Sequence, residues 1–237
     1  MLVVKNISKS LSGKQILKNI GFCLYKGEIV ALVGPNGAGK TTLMRCLSGF
    51  YYLDEGEISF YNFSLRRDRQ SVLAKMAYVP EMGGLYPEMT VYEYLSLMAA
   101  LRRLSPKDTF DQMLSLVRKL NLEFVLKQKC ETLSKGYKKR VALAGAMLSQ
   151  PDILILDEPT EGLDPVQKKE LRSFLKEYGK DHCILISTHV MEEVEALAQR
   201  ILVLSKGKLV CDNTPEELKK ATAKTDIEDS FQMITEE

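Results

Sequence analysis

An apolar run, Ile29-Val-Ala-Leu-Val33, leads into Gly34-Pro-Asn-Gly-Ala-Gly-Lys-Thr41, and a helix-like segment follows to Leu47. The octapeptide matches the pattern GxxxxGK[ST] in the strand–turn–helix setting that this pattern requires. Gly34, Gly37 and Gly39 allow backbone conformations and close approaches that a Cβ would obstruct. With Pro35, Asn36 and Ala38 between them, the loop's amides converge at a helix N-terminus, which favours an anion. Lys40 can reach the β- and γ-phosphates of a nucleotide, the Thr41 hydroxyl can ligate Mg²⁺, and Thr42 can bond a further phosphate oxygen. By itself the motif implies nucleoside triphosphate binding and nothing narrower.

The remaining elements can be arranged around this loop. Runs 2–7, 16–24 and 28–33 read as strands separated by turns, and 58–61 and 76–79 as two more. From about Thr90 to Gln150 the period becomes helical. Val91, Leu95 and Met98 share one face, as do Met113, Leu116, Val117 and Leu120. Ser105-Pro106 has the cap-then-proline form of a helix start. Apolar runs 153–156, 183–187 and 201–204 then read as buried strands, with helices 165–178 and 190–199 between them. That alternation implies a mostly parallel sheet. Run 208–211 is a late strand, Thr214-Pro-Glu-Glu217 a helix start, and the chain after Lys219 reads as polar and frayed.

The expected fold is therefore α/β: a single domain with a P-loop NTPase core (about 1–89 and 151–220) and a mostly parallel sheet. It carries an N-terminal antiparallel β region, a helical insert (about 90–150) and a polar tail (about 221–237). Hydrophobic residues at 45% and charged residues at 27% exclude a disordered chain. Thirty-three basic against 31 acidic residues give no electrostatic reason to expect nucleic acid. Cys23, Cys46, Cys130, Cys183 and Cys211 are scattered without a CxxC, which fits free thiols in a reducing cytoplasm better than a metal site. No apolar run approaches the ~20 residues of a membrane span. The N-terminus also lacks the basic start and apolar middle of a secretory signal. A role at a membrane would need another chain to supply the spans.

Run 153–156 continues into Asp157 and Glu158. Successive strand side chains point to opposite faces, so two neighbouring acids offer two roles. Asp157 can hold Mg²⁺ through water, and Glu158 can polarise an attacking water as base or orienter. The carboxyl ends of strands are where open α/β sheets place ligands.

Four further motifs carry a family resemblance. Leu133-Ser-Lys-Gly-Tyr137 resembles the LSGGQ signature of ABC-type ATPases. Glu161-Gly-Leu-Asp164 looks like the D-loop, Ser187-Thr-His189 like the switch-histidine loop, and Tyr78-Val-Pro-Glu81 occupies the Q-loop position. Their order around the phosphate loop and acid pair agrees with that family over nearly the whole chain. The sequence is most similar to ATP-binding subunits of ABC transporters of the bacterial ABC-2 exporter branch, by LSKGY followed by Lys-Lys-Arg and by Gly-Leu-Tyr-Pro-Glu-Met-Thr.

The resemblance implies an ATP hydrolase using ATP and Mg²⁺, cytoplasmic and peripheral on the inner face of the cell membrane. A second ABC ATPase subunit, identical or not, would pair with it around two ATPs, and a membrane-spanning permease would be driven. Ser134 and Gly136 would contact the γ-phosphate across the interface, at the positive end of a helix starting there. Asp164 would couple the two sites, and His189 would contact the γ-phosphate and hold the attacking water. Lys40, Glu158 and His189 are the catalytic candidates. The groove near residues 81–89 would receive a coupling helix, with Tyr86 and Met89 as contacts. Hydrolysis would remove the bridging charge and open the dimer.

Three positions depart from the family pattern. Glu81 stands where Gln is usual; its carboxylate still offers oxygen to Mg²⁺. Leu11 stands where an aromatic usually stacks on adenine, so the base contact falls to Leu11 and Ile16, without the π contribution. Lys135 and Tyr137 alter the signature while Ser134 and Gly136 remain. Lys138, Lys139 and Arg140 read as a solvated helix start, with contact to nucleotide or a partner as the alternative; His182 reads as structural. The competing functions are a soluble ABC ATPase of the iron–sulfur assembly type and a non-hydrolysing, ATP-dependent regulatory module.

Overall fold

The computed structural model describes residues 1–81 and 83–236. Met82, in the segment expected to meet a coupling helix, and Glu237, the end of the tail, lie outside the described residues. Two sheets form the frame. β1 (Leu2–Leu11), β2 (Lys14–Leu24), β4 (Glu55–Phe60) and β5 (Phe63–Ser64) make an antiparallel sheet in the order β2-β1-β4-β5. β3 (Ile29–Val33), β6 (Met76–Val79), β7 (Ile153–Asp157), β8 (Cys183–Ser187), β9 (Arg200–Ser205) and β10 (Lys208–Asn213) make the second, ordered β10-β9-β3-β8-β7-β6. It is parallel except for β10, which returns antiparallel on β9.

β3, β7 and β8 are buried at every residue, so their sequences read as unbroken apolar runs. The pleat nevertheless sorts their side chains. Ala31, Leu154, Leu156, Ile184 and Ile186 face one core, shared with the helical insert. Val30, Leu32, Ile153, Ile155 and Leu185 face another, shared with the antiparallel sheet and the helix α1 (Lys40–Leu47). Each of these Val, Leu and Ile side chains contributes about 1.5–3 kcal/mol relative to exposure.

A short helix, α2 (Arg69–Ala74), precedes β6. The insert holds α3 (Val91–Leu101), α4 (Pro106–Lys119) and α5 (Lys135–Met147). Thr90 and Glu93 form a capping box on α3, and Ser105 caps α4 ahead of Pro106. α5 is buried from Val141 through Met147 and approaches α3 so closely that a Cβ on Gly145 would lie 2.8 Å from Tyr94. The Arg102 guanidinium, just past α3, donates to the carbonyls of Leu73 and Met76 and ties the insert to the core.

α6 (Pro165–Gly179) and α7 (Met191–Leu197) cover the sheet. The tail departs from expectation. α8 (Pro215–Thr222) starts at a Thr214–Glu217 capping box, and a further helix, α9 (Ile227–Glu236), follows instead of a frayed end. Ile227 is 3% exposed, Ser230 is fully buried, and Thr222 Oγ1 donates to Ser230 Oγ at 2.9 Å. Ile227, Phe231 and Ile234 recur at helical spacing and pack on the same core as the sheet.

Candidate functional site

Because β3, β6, β7 and β8 run parallel, their carboxyl ends open on one edge of the sheet. Everything singled out in the phosphate loop, the acid pair, the Q-loop and the histidine loop is delivered there.

The loop 34–39 leaves β3 with two glycines hemmed in, Gly34 and Gly39. A Cβ on Gly34 would sit 2.2 Å from the Leu204 carbonyl, and Gly39 has φ +111°. Gly39 is also the N-cap of α1 and supplies no side-chain cap. By contrast Thr90, Ser105, Ser134, Asp164 and Thr214 cap α3, α4, α5, α6 and α8. The N–H groups opening α1 are thus left for an outside acceptor, which is the chemistry a phosphate needs. Lys40 Nζ donates to the Gly34 carbonyl at 2.7 Å. Burial lowers its pKa, opposed by the charges of Glu158 and Asp157. Thr41 is exposed and Thr42 half-buried on the first turn.

Asp157 is 5% exposed and gripped from both flanking strands. Ser187 Oγ donates to its Oδ1 at 2.5 Å, and the Tyr78 hydroxyl to its Oδ2 at 3.2 Å. Burial, followed by the Asp157 charge, pushes the Tyr78 phenol up to about 12, so it stays a donor. One carboxylate of this kind, near enough to act on Lys40 at the uncapped start of α1, suits a cation that takes its remaining ligands from phosphate and water.

Glu158 is not placed by strand alternation, contrary to the expectation for adjacent acids. β7 ends at Asp157, and Glu158 adopts a left-handed conformation with φ +46°. Its N–H donates to Ser187 Oγ at 3.0 Å, and its carbonyl accepts from Lys139 Nζ at 2.5 Å. Its Oε1 lies 3.0 Å from His189 Nδ1. Burial raises the Glu158 pKa, partly countered by His189, while the bond to Glu158 raises that of His189. A carboxylate bonded to Nδ1 leaves Nε2 of the exposed ring available to a ligand.

Gly34, Pro35, Asn36, Glu81, Glu158, Glu161 and His189 line one cavity of about 450 Å³, together with Phe231 of α9. The exposed Glu81 therefore does join the site. Ser134 and Gly136 do not line this cavity. Ser134 is exposed and caps α5, accepting from the Tyr137 N–H at 3.3 Å. Gly136 is buried, and a Cβ there would lie 2.3 Å from Gln167 Oε1. Asp164 is exposed, its Oδ1 accepting from the Gln167 N–H at 2.9 Å. Leu11 and Ile16 flank the β1–β2 turn, and neither lines the cavity, although the Ile16 carbonyl abuts the loop at Gly39. Tyr86 is exposed, whereas Met89 packs against the core. His182 stacks on Tyr178 at 3.9 Å, a structural place.

Two members of the basic run, Lys139 and Arg140, are not solvated. Lys139 reaches Glu158, and Arg140 pairs with Glu170 at 2.8 Å. Sequence reasoning also missed Glu193, 1% exposed, which accepts from the hydroxyls of Thr160 and Thr188 and so ties the segment after Glu158 to the histidine loop. Its only signal was an acid one turn beyond His189. The cue for Phe231 was the apolar spacing of α9.

A family model describing ABC transporters matches residues 17–161. Over 213 residues the chain is 38% identical to the SkfA peptide export ATP-binding protein SkfE of Bacillus subtilis (strain 168), covering 90% of this chain and 88% of that protein. The chain belongs to the ABC transporter family. Among other relatives in this family is the linearmycin resistance ATP-binding protein LnrL of Bacillus subtilis, 33% identical, covering 92% of this chain and 70% of that one. The human ATP-binding cassette sub-family A member 10 is 34% identical over 92% of this chain, which spans only 14% of that protein's length. A solved ATP-binding subunit of an ABC transporter superposes with a TM-score of 0.91 at 30% identity, covering 99% of both chains. A dimeric ATP-binding cassette in a post-hydrolysis state, bound to ADP and Pi, gives 0.79 at 25% identity over 90% of this chain and 98% of that one. The fold is thus that of the ABC ATPases. Among the described residues no helix is long and apolar enough to cross a membrane.

Proposed function

We propose that this chain is the ATP-hydrolysing subunit of an ABC exporter. It pairs with a second such subunit around two ATPs and drives a separate membrane-spanning permease from the cytoplasmic face. The observation that carries this reading is the 3.0 Å contact of Glu158 with His189 at the mouth that also receives the phosphate loop. A module that only bound ATP would have no use for a half-buried carboxylate and an exposed histidine held together there.

In this reading the N–H groups of 37–42 and Lys40 hold the phosphates, the lysine exchanging its bond to the Gly34 carbonyl for phosphate oxygens. Thr41, Asp157 and Glu81 would hold Mg²⁺, which neutralises charge on the phosphate oxygens when bound. Glu158 accepts the proton of, or orients, the attacking water, and His189 presents Nε2 to the γ-phosphate. Ser134 and the N-terminus of α5 complete the site of the partner subunit. Gly136, beneath Gln167, would act there through its backbone. Leu11 and Ile16 would offer apolar contact to the base, and Asp164 would lie at the subunit boundary. Loss of the γ-phosphate then removes the anion that bridges the subunits.

The test is Glu158→Gln in the purified complex. ATP binding is retained, turnover falls by roughly 10²–10⁴, about 3–5 kcal/mol, and ATP now traps a stable pair of subunits. Normal hydrolysis by this variant would overturn the assignment. Failure of ATP to pair the subunits with cleavage blocked would overturn the motor.

A further inference from the structure

We propose that Lys139 is a positioning residue that holds Glu158 in its working conformation, joining the helix behind the signature to hydrolysis in the same chain. This rests on the hydrolytic reading above and adds to it a residue to which the resemblance assigns no role.

Glu158 has a left-handed backbone, φ +46°, which is unfavourable for a residue with a Cβ. Such a conformation persists only where its surroundings fix it. Three groups do so. Ser187 Oγ takes the Glu158 N–H, and Lys139 Nζ donates to the Glu158 carbonyl, which also accepts a longer bond, 3.3 Å, from the Glu161 N–H. The Cα between them is pinned on both sides, and its side chain points Oε1 at His189. Without Lys139 the carbonyl keeps only the longer bond from the Glu161 N–H within its own turn, so the peptide can tilt and the carboxylate loses its direction.

The surroundings of Lys139 argue against a surface side chain resting there by chance. Burial depresses its pKa, and Glu161, Glu81, Glu158 and Glu193 all lie near enough to act on it. It also lines a narrow cleft with Glu81, Asp157 and Pro159, and so reaches the Q-loop and the end of β7 from the helical insert. Lys139 lies in the second turn of α5, the helix capped by Ser134. A displacement of α5 therefore pulls on the Glu158 carbonyl. If Ser134 engages the nucleotide of the partner, that contact and the aim of Glu158 in its own site depend on the position of one helix. Each subunit would hydrolyse only when its signature helix is seated.

The experiment compares four forms of the full chain in its assembled complex: Lys139→Met, Lys139→Arg, Glu158→Gln and the double variant Lys139→Met/Glu158→Gln. Lys139→Met removes the donor at similar length. Its kcat is expected to fall about 10- to 100-fold with KM for ATP within about twofold, since the lysine touches no substrate. Lys139→Arg restores a donor and recovers kcat to within about fivefold. The double variant is no slower than Glu158→Gln, because the lysine acts through that residue. Wild-type kcat in Lys139→Met, equal losses in the Met and Arg variants, or a full additional loss in the double variant would each overturn the proposal. Should Lys139→Met not melt cooperatively, Lys139→Gln, too short to reach the carbonyl, takes its place with the same expectations. If Glu158→Gln itself turns over normally, it is the hydrolytic reading that fails.

Discussion

The Ser187 hydroxyl donates to Asp157 Oδ1 at 2.5 Å across adjoining parallel strands, at the register where these two residues pair. The same oxygen accepts the N–H of Glu158. One buried hydroxyl therefore orients both acids at the end of β7. Ser187→Ala leaves a buried carboxylate short of a donor and a backbone N–H short of an acceptor. The expected cost is about 1–3 kcal/mol per orphaned group, read as a lower urea midpoint. ATPase activity should fall as well, with a raised Mg²⁺ requirement. Unchanged midpoint and Mg²⁺ dependence would show that Asp157 needs no such support.

The base contact offers a gain-of-affinity test. Leu11 sits at the β1–β2 turn and contributes only an aliphatic surface. Leu11→Tyr adds a ring face worth about 0.5–1.5 kcal/mol if it stacks on adenine. The Kd for ATP, measured by calorimetry on the full chain, should tighten by roughly 2- to 10-fold, with little change for inorganic triphosphate. An unaltered Kd places the base elsewhere.

Acid stability has a specific contributor that does not line the nucleotide cavity. Asp54 accepts from Lys9 Nζ at 2.7 Å and from the Ser10 N–H at 2.6 Å. The Lys9 bond, then the Ser10 bond, lowers its pKa below the ordinary aspartate value. A carboxylate depressed on folding stabilises the native state above its unfolded pKa, about 4. That contribution is lost as pH falls through the lower folded value. Asp54→Asn should flatten the loss of thermal stability below pH 4 and act little on its slope near neutrality. An identical acid limb in both proteins would rule this contribution out.

The tail helix can be weighed directly. Ile227→Ala removes a side chain 3% exposed beneath α9 and should cost about 2–5 kcal/mol. Phe124→Ala, at a side chain 89% exposed, should stay within about 0.5 kcal/mol. Chemical denaturation of the two variants checks the contrast. Equal small effects would mean that α9 adds nothing to the folded state.

The features legible in the chain are those written in contiguous residues. The phosphate loop, the apolar strands β3, β7 and β8, the caps at Ser105 and Thr214, and the acid pair are each encoded within a dozen positions. Period and turn chemistry act over that range, so the α/β class and the cluster of site residues at the strand ends followed from them. The antiparallel region and insert likewise lie where the pattern changes.

Other features arise between residues that are distant in the chain. Ser187 and Asp157 are 30 positions apart, Glu158 and His189 31, and Lys139 and Glu158 19. The left-handed turn at Glu158 breaks the strand alternation that would otherwise have aimed it, and it holds because partners from β8 and α5 fix its two peptide groups. Three consecutive cations looked solvated because periodicity cannot say what lies opposite a helix. Likewise the tail looked polar until its three apolar side chains met the core. Local pattern sets which groups are present and on which face, whereas the direction of a side chain in the site is decided by the non-local contacts that only close packing supplies.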